Sequence, residues 1–382
     1  MSGGDGLPEP DRVGEAPHPR ETLHLFGQEA AEAEVLAAHT AGRMHHAWLL
    51  TGPRGVGKAT LAWRIARFLL TQPPRDDGPG LFGDAPPAPA PATLDTDPGH
   101  PVVRRMQALA EPRLFLLRRG PNDKGDRLMA TIGVDEARKL GSFLALTAAD
   151  GGTRVVIVDA ADELNPNAAN AILKLLEEPP RGVVFLLVSH QPARLLPTIR
   201  SRCRKLALPR LPAADLALAL TRAGYEPGPD PVDLAELSDG SAGMAVRLLE
   251  GEGLQLYRDL VGTVATMPGM DREAAVKLAD HIGARGQGER QELAVYLVGL
   301  LLGRLARCGA GHPPMAEAAP DEAALLRRLS PDAAAGRHWA ALQSNLTARL
   351  GQGLAVNLDP ATLILDTMIR INEAAGPLSV RA

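Results

Sequence analysis

The stretch Trp48-Leu-Leu-Thr-Gly-Pro-Arg-Gly-Val-Gly-Lys-Ala-Thr60 constrains this chain more than any other, because an apolar run breaks into three glycines and a lysine before the amphipathic segment Leu61 to Leu70. It reads as strand, phosphate loop and helix. Gly52, Gly55 and Gly57 let the backbone turn tightly with its N–H groups facing inward, and Lys58 sets a positive charge beside the N-terminal end of the next helix. Such a cradle suits the phosphates of a nucleotide triphosphate. The pattern places a hydroxyl directly after the lysine to hold Mg²⁺, but Ala59 stands there and the nearest hydroxyl, Thr60, follows one residue later. One helical residue rotates a side chain by about 100°, so Thr60 is expected to face away from the metal position. The loop therefore predicts weak ATP binding or none, with little support for metal-assisted hydrolysis.

A second dense patch, Thr153 to Asn165, is an apolar strand ended by Asp159, and Val183 to Ser189 is another whose terminal hydroxyl is placed to sense a phosphate. Continuous apolar runs separated by helices are what a parallel sheet buried on both faces requires. Asp159 then falls at the carboxyl end of the sheet, where such folds bind ligands. Asp162 and Glu163 lie just beyond and read equally as site acids or as solvated turn residues. Asn167 to Glu178 predicts a helix stopped by Pro179-Pro180, and Pro192 to Ile199 a short one before the basic run Arg200-Ser-Arg-Cys-Arg-Lys205. That run is compatible with a solvated turn, a DNA-phosphate contact or a positioned arginine. After Leu211 strand signals fade and helical patterns punctuated by Gly and Pro run to the end.

A chain of 382 residues predicts two or three domains. Its 45% hydrophobic but only 3% aromatic content predicts an aliphatic, helix-rich core. With 41 basic against 45 acidic residues, coating nucleic acid by bulk charge is excluded, and any such contact must be local. Cys203 and Cys308 form neither a disulfide framework nor a four-ligand zinc site. The first twenty residues lack the apolar core of a signal peptide, and no apolar run reaches membrane-spanning length, so a cytoplasmic protein without membrane contact is expected. Residues 1–20 read as a disordered tail. Residues 71–100 hold eight prolines and four glycines and read as a mobile surface insert.

Two stretches carry a family resemblance: Asn167-Ala-Ala-Asn-Ala-Ile-Leu-Lys-Leu-Leu-Glu-Glu-Pro-Pro180 and Leu196-Pro-Thr-Ile-Arg-Ser-Arg-Cys203. Together with the phosphate loop they make the region from Leu23 to Leu249 resemble the clamp-loader branch of the AAA+ ATPases. The resemblance implies an α/β P-loop domain with a parallel sheet at 21–210, a small helical lid at 211–253 and an all-α collar at 254–382 that joins other subunits. It further implies a replication role inside the bacterial DNA polymerase III holoenzyme. The partners would be delta-type and gamma/tau-type subunits in a hetero-pentamer, a sliding clamp, and primed DNA through the complex. Nucleotide-site residues carried over are Gly52, Gly55, Gly57, Lys58, Ala59, Thr60, Asp159 and Ser189, and Arg202 corresponds to the arginine finger supplied to a neighbour.

Departures from the active pattern point to a non-hydrolysing stator. Ala59 removes the metal hydroxyl, Ala160 stands where active members carry the glutamate that polarises water, and Gly243 lies near the place of the lid arginine. The alternative is an active motor subunit of the gamma/tau kind, against which these residues argue. The Pro-rich insert occupies the place of the Cys-ligated zinc module of many relatives, so neither zinc nor another bound metal is expected.

Overall fold

The computed structural model describes residues 9–73, 91–122, 124–125, 127–145, 152–228, 231–284, 286 and 288–379. The chain divides into two units, Met1–Leu211 and Pro212–Ala382. In the first unit the elements are, in order, α1 (Glu29–Thr40), β1 (Ala47–Thr51), α2 (Lys58–Thr71), α3 (Pro101–Gln107), β2 (Leu114–Arg118), α4 (Val134–Ala145), β3 (Arg154–Asp159), α5 (Pro166–Glu177), β4 (Val183–Ser189), α6 (Pro197–Ser201) and β5 (Arg204–Ala207). All strand pairs are parallel, in the order β2-β3-β4-β1-β5. This is the α/β P-loop sheet that the resemblance implies.

The period of two along a strand explains why β1, β3 and β4 are apolar through their interiors. Trp48 and Leu50, Val155 and Ile157, and Val184, Leu186 and Val188 enter one core with Trp63 and Phe68 of α2. The intervening residues Ala47 and Leu49, Val156 and Val158, and Val183, Phe185 and Leu187 enter the core of the opposite face with Leu140 of α4 and Ile172 of α5. Both faces are covered, so the interior positions of these strands are apolar on both sides and polar residues fall at the strand ends. The edge strand β5 alternates instead, burying only Leu206 of its four residues, and was hidden inside the basic run.

Residues 9–20, expected to be a disordered tail, pack against the unit. His18 is fully buried, with Nε2 3.0 Å from Asp11 Oδ2, while Arg118 Nη1 donates to Asp11 Oδ1 at 2.9 Å. Arg67 of α2 donates to the carbonyls of Arg20 and Thr22 at 2.9 and 2.6 Å. Composition could not reveal this, because the segment is held by charged donors and not by an apolar face; residues 1–8 lie outside the described ones. Likewise residues 74–90 of the Pro-rich insert lie outside the described residues, but 91–100 are not a bare loop. Leu94 is buried in the core and Asp95 pairs with Arg64 at 3.1 Å.

The second unit is helical: α7 (Ala213–Arg222), α8 (Pro231–Ser238), α9 (Ala242–Glu250), α10 (Gly253–Ala265), α11 (Arg272–Gly283), α12 (Gly288–Gly309), α13 (Glu322–Leu329), α14 (Ala333–Ala355) and α15 (Pro360–Ser379). The long helices α12 and α14 cross where glycine faces glycine. A Cβ on Gly309 would stand 2.5 Å from Asp332 O and 2.7 Å from Gly336 N, so only hydrogen fits.

A buried ion cluster ties four helices of this unit together. Arg304 of α12, fully buried, donates Nη1 to both carboxylate oxygens of Glu322 at 2.7 and 2.8 Å and Nη2 to Glu236 of α8 at 3.0 Å. The Tyr257 hydroxyl of α10 and the Ala318 N–H also donate to Glu322. Removing one member of such a cluster strands the rest. We predict that Glu322→Ala destabilises the unit by about 3–5 kcal/mol, measured by denaturant unfolding. A loss below about 1 kcal/mol, the level of a solvated surface pair, would refute the clamp.

Candidate functional site

The carboxyl ends of β1, β3 and β4 bring the sequence-predicted residues to one crevice. After Thr51 the chain enters the loop 52–57, and Lys58 is the first residue of α2. Gly52, Gly55 and Gly57 have φ of 148, 75 and 98°, all in the region that favours glycine. At Gly52 space adds to backbone angle, since a Cβ would lie 2.3 Å from Leu208 O. Ser189 is the register partner of Thr51 on β4, and Asp159 ends β3 beside it.

Lys58 does not extend into solvent. It is buried, and Nζ donates to the loop carbonyls of Gly52, at 2.8 Å, and Pro53. Burial drives its pKa down to about 8, with Asp159 and Asp162 opposing the fall and Arg54 adding to it. Asp159 moves the other way, to about 7, first through burial, then through the nearby carboxylates of Asp11 and Glu163, against the pull of Lys58 and Arg118. One oxygen of Asp159 and the Ser189 hydroxyl are buried and have no hydrogen-bond partner among the described residues. His190 is lowered to about 4 by burial and by Lys58 and Arg54, so it is neutral at physiological pH.

The acids left open by sequence have partners in the loops. Glu163 pairs with Arg54 at 3.2 Å and with Arg119 at 2.9 Å, while Asp162 accepts from the backbone N–H of His190 at 2.9 Å. They hold the phosphate loop to the strand ends. Gln28, which sequence reasoning did not single out, is buried and donates to the carbonyls of Val56 in the loop and Pro209 after β5, at 3.2 and 3.0 Å. The available signal was only its place directly before the first helix.

The donor set fits phosphate better than a metal-bound nucleotide. Turned glycines, Lys58 and the free Ser189 hydroxyl can meet phosphate oxygens. Neither Ala59 nor Ala160 supplies an oxygen where Mg²⁺ or an attacking water would need one. Among the described residues, no cluster of three His, Cys, Asp or Glu side chains is disposed to hold a metal. Asp159, poised to carry a proton near neutrality, is a weak metal anchor.

Arg202 stands outside this crevice. It caps α6, and its guanidinium donates Nη1 to Thr198 O at 3.0 Å and pairs Nη2 with Glu177 Oε1 at 2.7 Å, leaving the side chain 35% exposed. Among the described residues no hydrogen bond or ion pair joins it to Lys58, Asp159 or Ser189. Its neighbour Arg204 is structural, since it pairs with Glu34 at 2.8 Å and lies over the ring of buried Trp48 at 4.8 Å. Cys203 packs against the core, and burial pushes its thiol up to about 12, which makes it inert.

A family model described as DNA polymerase III, delta subunit, matches residues 93–212. The DNA polymerase III subunit delta' of Pseudomonas aeruginosa is 39% identical over 229 residues, covering 59% of this chain and 62% of its own length. The subunit delta' of Escherichia coli is 32% identical over 250 residues, 65% of this chain and 68% of its own. The subunit gamma/tau of Mycobacterium tuberculosis is 30% identical over 205 residues, 53% of this chain and 31% of its own. The chain thus matches less than two thirds of the Pseudomonas relative.

Because folded Asp159 holds its proton to about pH 7, against 3.8 for an ordinary aspartate, folding takes up a proton between those values. Stability from this group falls as pH rises through that window and is unaffected below it. We predict that Asp159→Asn, which cannot ionise, matches wild-type stability near pH 4 and exceeds it near pH 8 by on the order of 1–4 kcal/mol. Guanidinium unfolding at both pH values reads this directly. Equal stability at pH 8 would show that the carboxylate ionises at no cost.

Proposed function

The chain belongs to the delta' family of DNA polymerase III subunits, and on that premise we propose that it is a non-hydrolysing, stator-type subunit of a clamp loader. In this reading Arg202 reaches the ATP site of a neighbouring motor subunit, and the assembled pentamer of delta, delta' and gamma/tau kinds places a ring-shaped clamp on primed DNA in the cytoplasm. Residues 21–210 form the nucleotide-binding-type domain, 211–253 the lid and 254–382 the collar that joins the other subunits. The observation that carries the reading is a division of labour: the chain's own phosphate crevice lacks an oxygen at Ala59 and Ala160, while Arg202 is held half-exposed and apart from it. The cradle keeps weak ATP binding or none, and negligible turnover. Its similarity to gamma/tau subunits supports a common architecture, but an active motor would need the two missing oxygens.

A finger in trans contributes to the transition state and little to its own fold, because a half-exposed guanidinium is solvated before assembly. A planar fork can bind two phosphate oxygens as the γ-phosphoryl transfers, which an ammonium cannot.

We predict that Arg202→Ala leaves folding and assembly intact but lowers clamp-stimulated ATP turnover at the affected site by on the order of 10³-fold, with poor rescue by Arg202→Lys. Arg200→Ala is the charge-matched control, since Arg204 is bound into the fold. Turnover is measured on the reconstituted complex across a salt series. If both alanine variants lose activity equally, and the losses shrink together as salt rises, the basic run contacts DNA phosphates and the finger assignment is wrong.

A further inference from the structure

The pair Arg202–Glu177 is odd as a stabilising contact. Both side chains are partly exposed, at 35% and 41%, and an ion pair at that exposure contributes only about 0–1 kcal/mol. Yet its geometry is tight on two sides. Glu177 Oε1 lies 2.7 Å from Nη2, and Thr198 O accepts from Nη1 at 3.0 Å. The carboxylate also stands on a rigid base. Glu177 is the last residue of α5, whose Ile172 and Leu176 are buried against the sheet and whose start is capped by the Asn165 side chain accepting from Ala168 N at 2.8 Å. Two fixed acceptors, one at the end of α5 and one within α6, thus grip an otherwise flexible four-bond side chain whose free rotamers hold about 2 kcal/mol of entropy.

We propose that Glu177 is a positioning residue for Arg202: it holds the guanidinium in one orientation before the neighbouring subunit arrives, so that the remaining donors of the fork meet the phosphate without a search. This rests on the finger role proposed above. Glu177 touches neither nucleotide nor metal. It acts by lowering the ordering cost that Arg202 would otherwise meet in the transition state, and a finger displaced by about 1 Å loses on the order of 10²-fold in rate.

The test is a double-mutant cycle in the reconstituted clamp-loader complex. Glu177→Ala is expected to lower kcat for ATP by about tenfold to a hundredfold with KM and assembly unchanged. Glu177→Gln, which keeps an oxygen acceptor, should recover most of the loss, and Glu177→Lys should resemble Arg202→Ala. The double variant Glu177→Ala/Arg202→Ala should be no slower than Arg202→Ala alone, because Glu177 acts only through the arginine. If Glu177→Ala turns over at the wild-type rate or faster, or if its effect persists undiminished without Arg202, the positioning role is overturned while the finger role stands. If Arg202→Ala itself has no effect, the finger role fails and the positioning role falls with it.

Discussion

The first unit is constrained by the burial of two ionisable groups of opposite sign at the carboxyl ends of its strands. Lys58 and Asp159 leave water together, and neither is fully compensated by the other: burial pulls the lysine down to about 8 and pushes the aspartate up to about 7. A direct buried pair would favour both charged forms, so these shifts describe a crevice in which desolvation outweighs attraction. The loop answers by turning two carbonyls onto Lys58 Nζ. That requires the positive φ of its glycines, and at Gly52 the bare approach to Leu208 O as well. Phosphate oxygens would relieve the same charge from outside.

Around this crevice, charge is managed by arginine. Arg118, register partner of Asp159, holds Asp11, and Arg54 and Arg119 hold Glu163. Burial pushes the Asp11 carboxyl upward, but His18 and Arg118 outweigh it and hold the group below the ordinary aspartate range. A permanent negative charge is thereby kept beside Asp159, which is one reason the latter resists ionising. The N-terminal segment is therefore part of the electrostatics of the site and not a tether to it.

The sheet was legible in the sequence because two buried faces leave a simple mark, unbroken apolar runs at β1, β3 and β4. So were the glycines of the loop, whose backbone angles no other residue adopts easily. What escaped notice was held by polar contacts. Edge strand β5 buries only Leu206 and otherwise looks like a basic turn. Residues 9–20 have no apolar pattern, and their order comes from Arg67, Arg118 and His18, partners 47, 107 and 7 residues away from Arg20, Asp11 and Asp11 respectively. Sequence distance hides such pairs, since nothing in Asp11 itself says that a guanidinium on β2 will face it. The candidate residues Lys58, Asp159 and Ser189 were legible because they sit at element boundaries, Lys58 opening α2 and the other two ending β3 and β4; Gln28 was missed because its partners are backbone carbonyls.

The arginines of this chain sort by what their surroundings ask of them, and that sorting bears on function more than any motif. Arg64, Arg67 and Arg304 are buried, and the terminal Nη1 and Nη2 of each donate to carbonyls or carboxylates of the same unit. Arg204 is exposed but held by Glu34 and the face of Trp48. Each of these would cost the fold something if it moved to serve a ligand. Arg202 is different: its two partners sit on the helices that flank it, its side chain stays one third in solvent, and its environment gains little from the contact. A guanidinium that is oriented but not consumed by its own fold keeps its remaining donors open, and the proposed finger role rests on that feature.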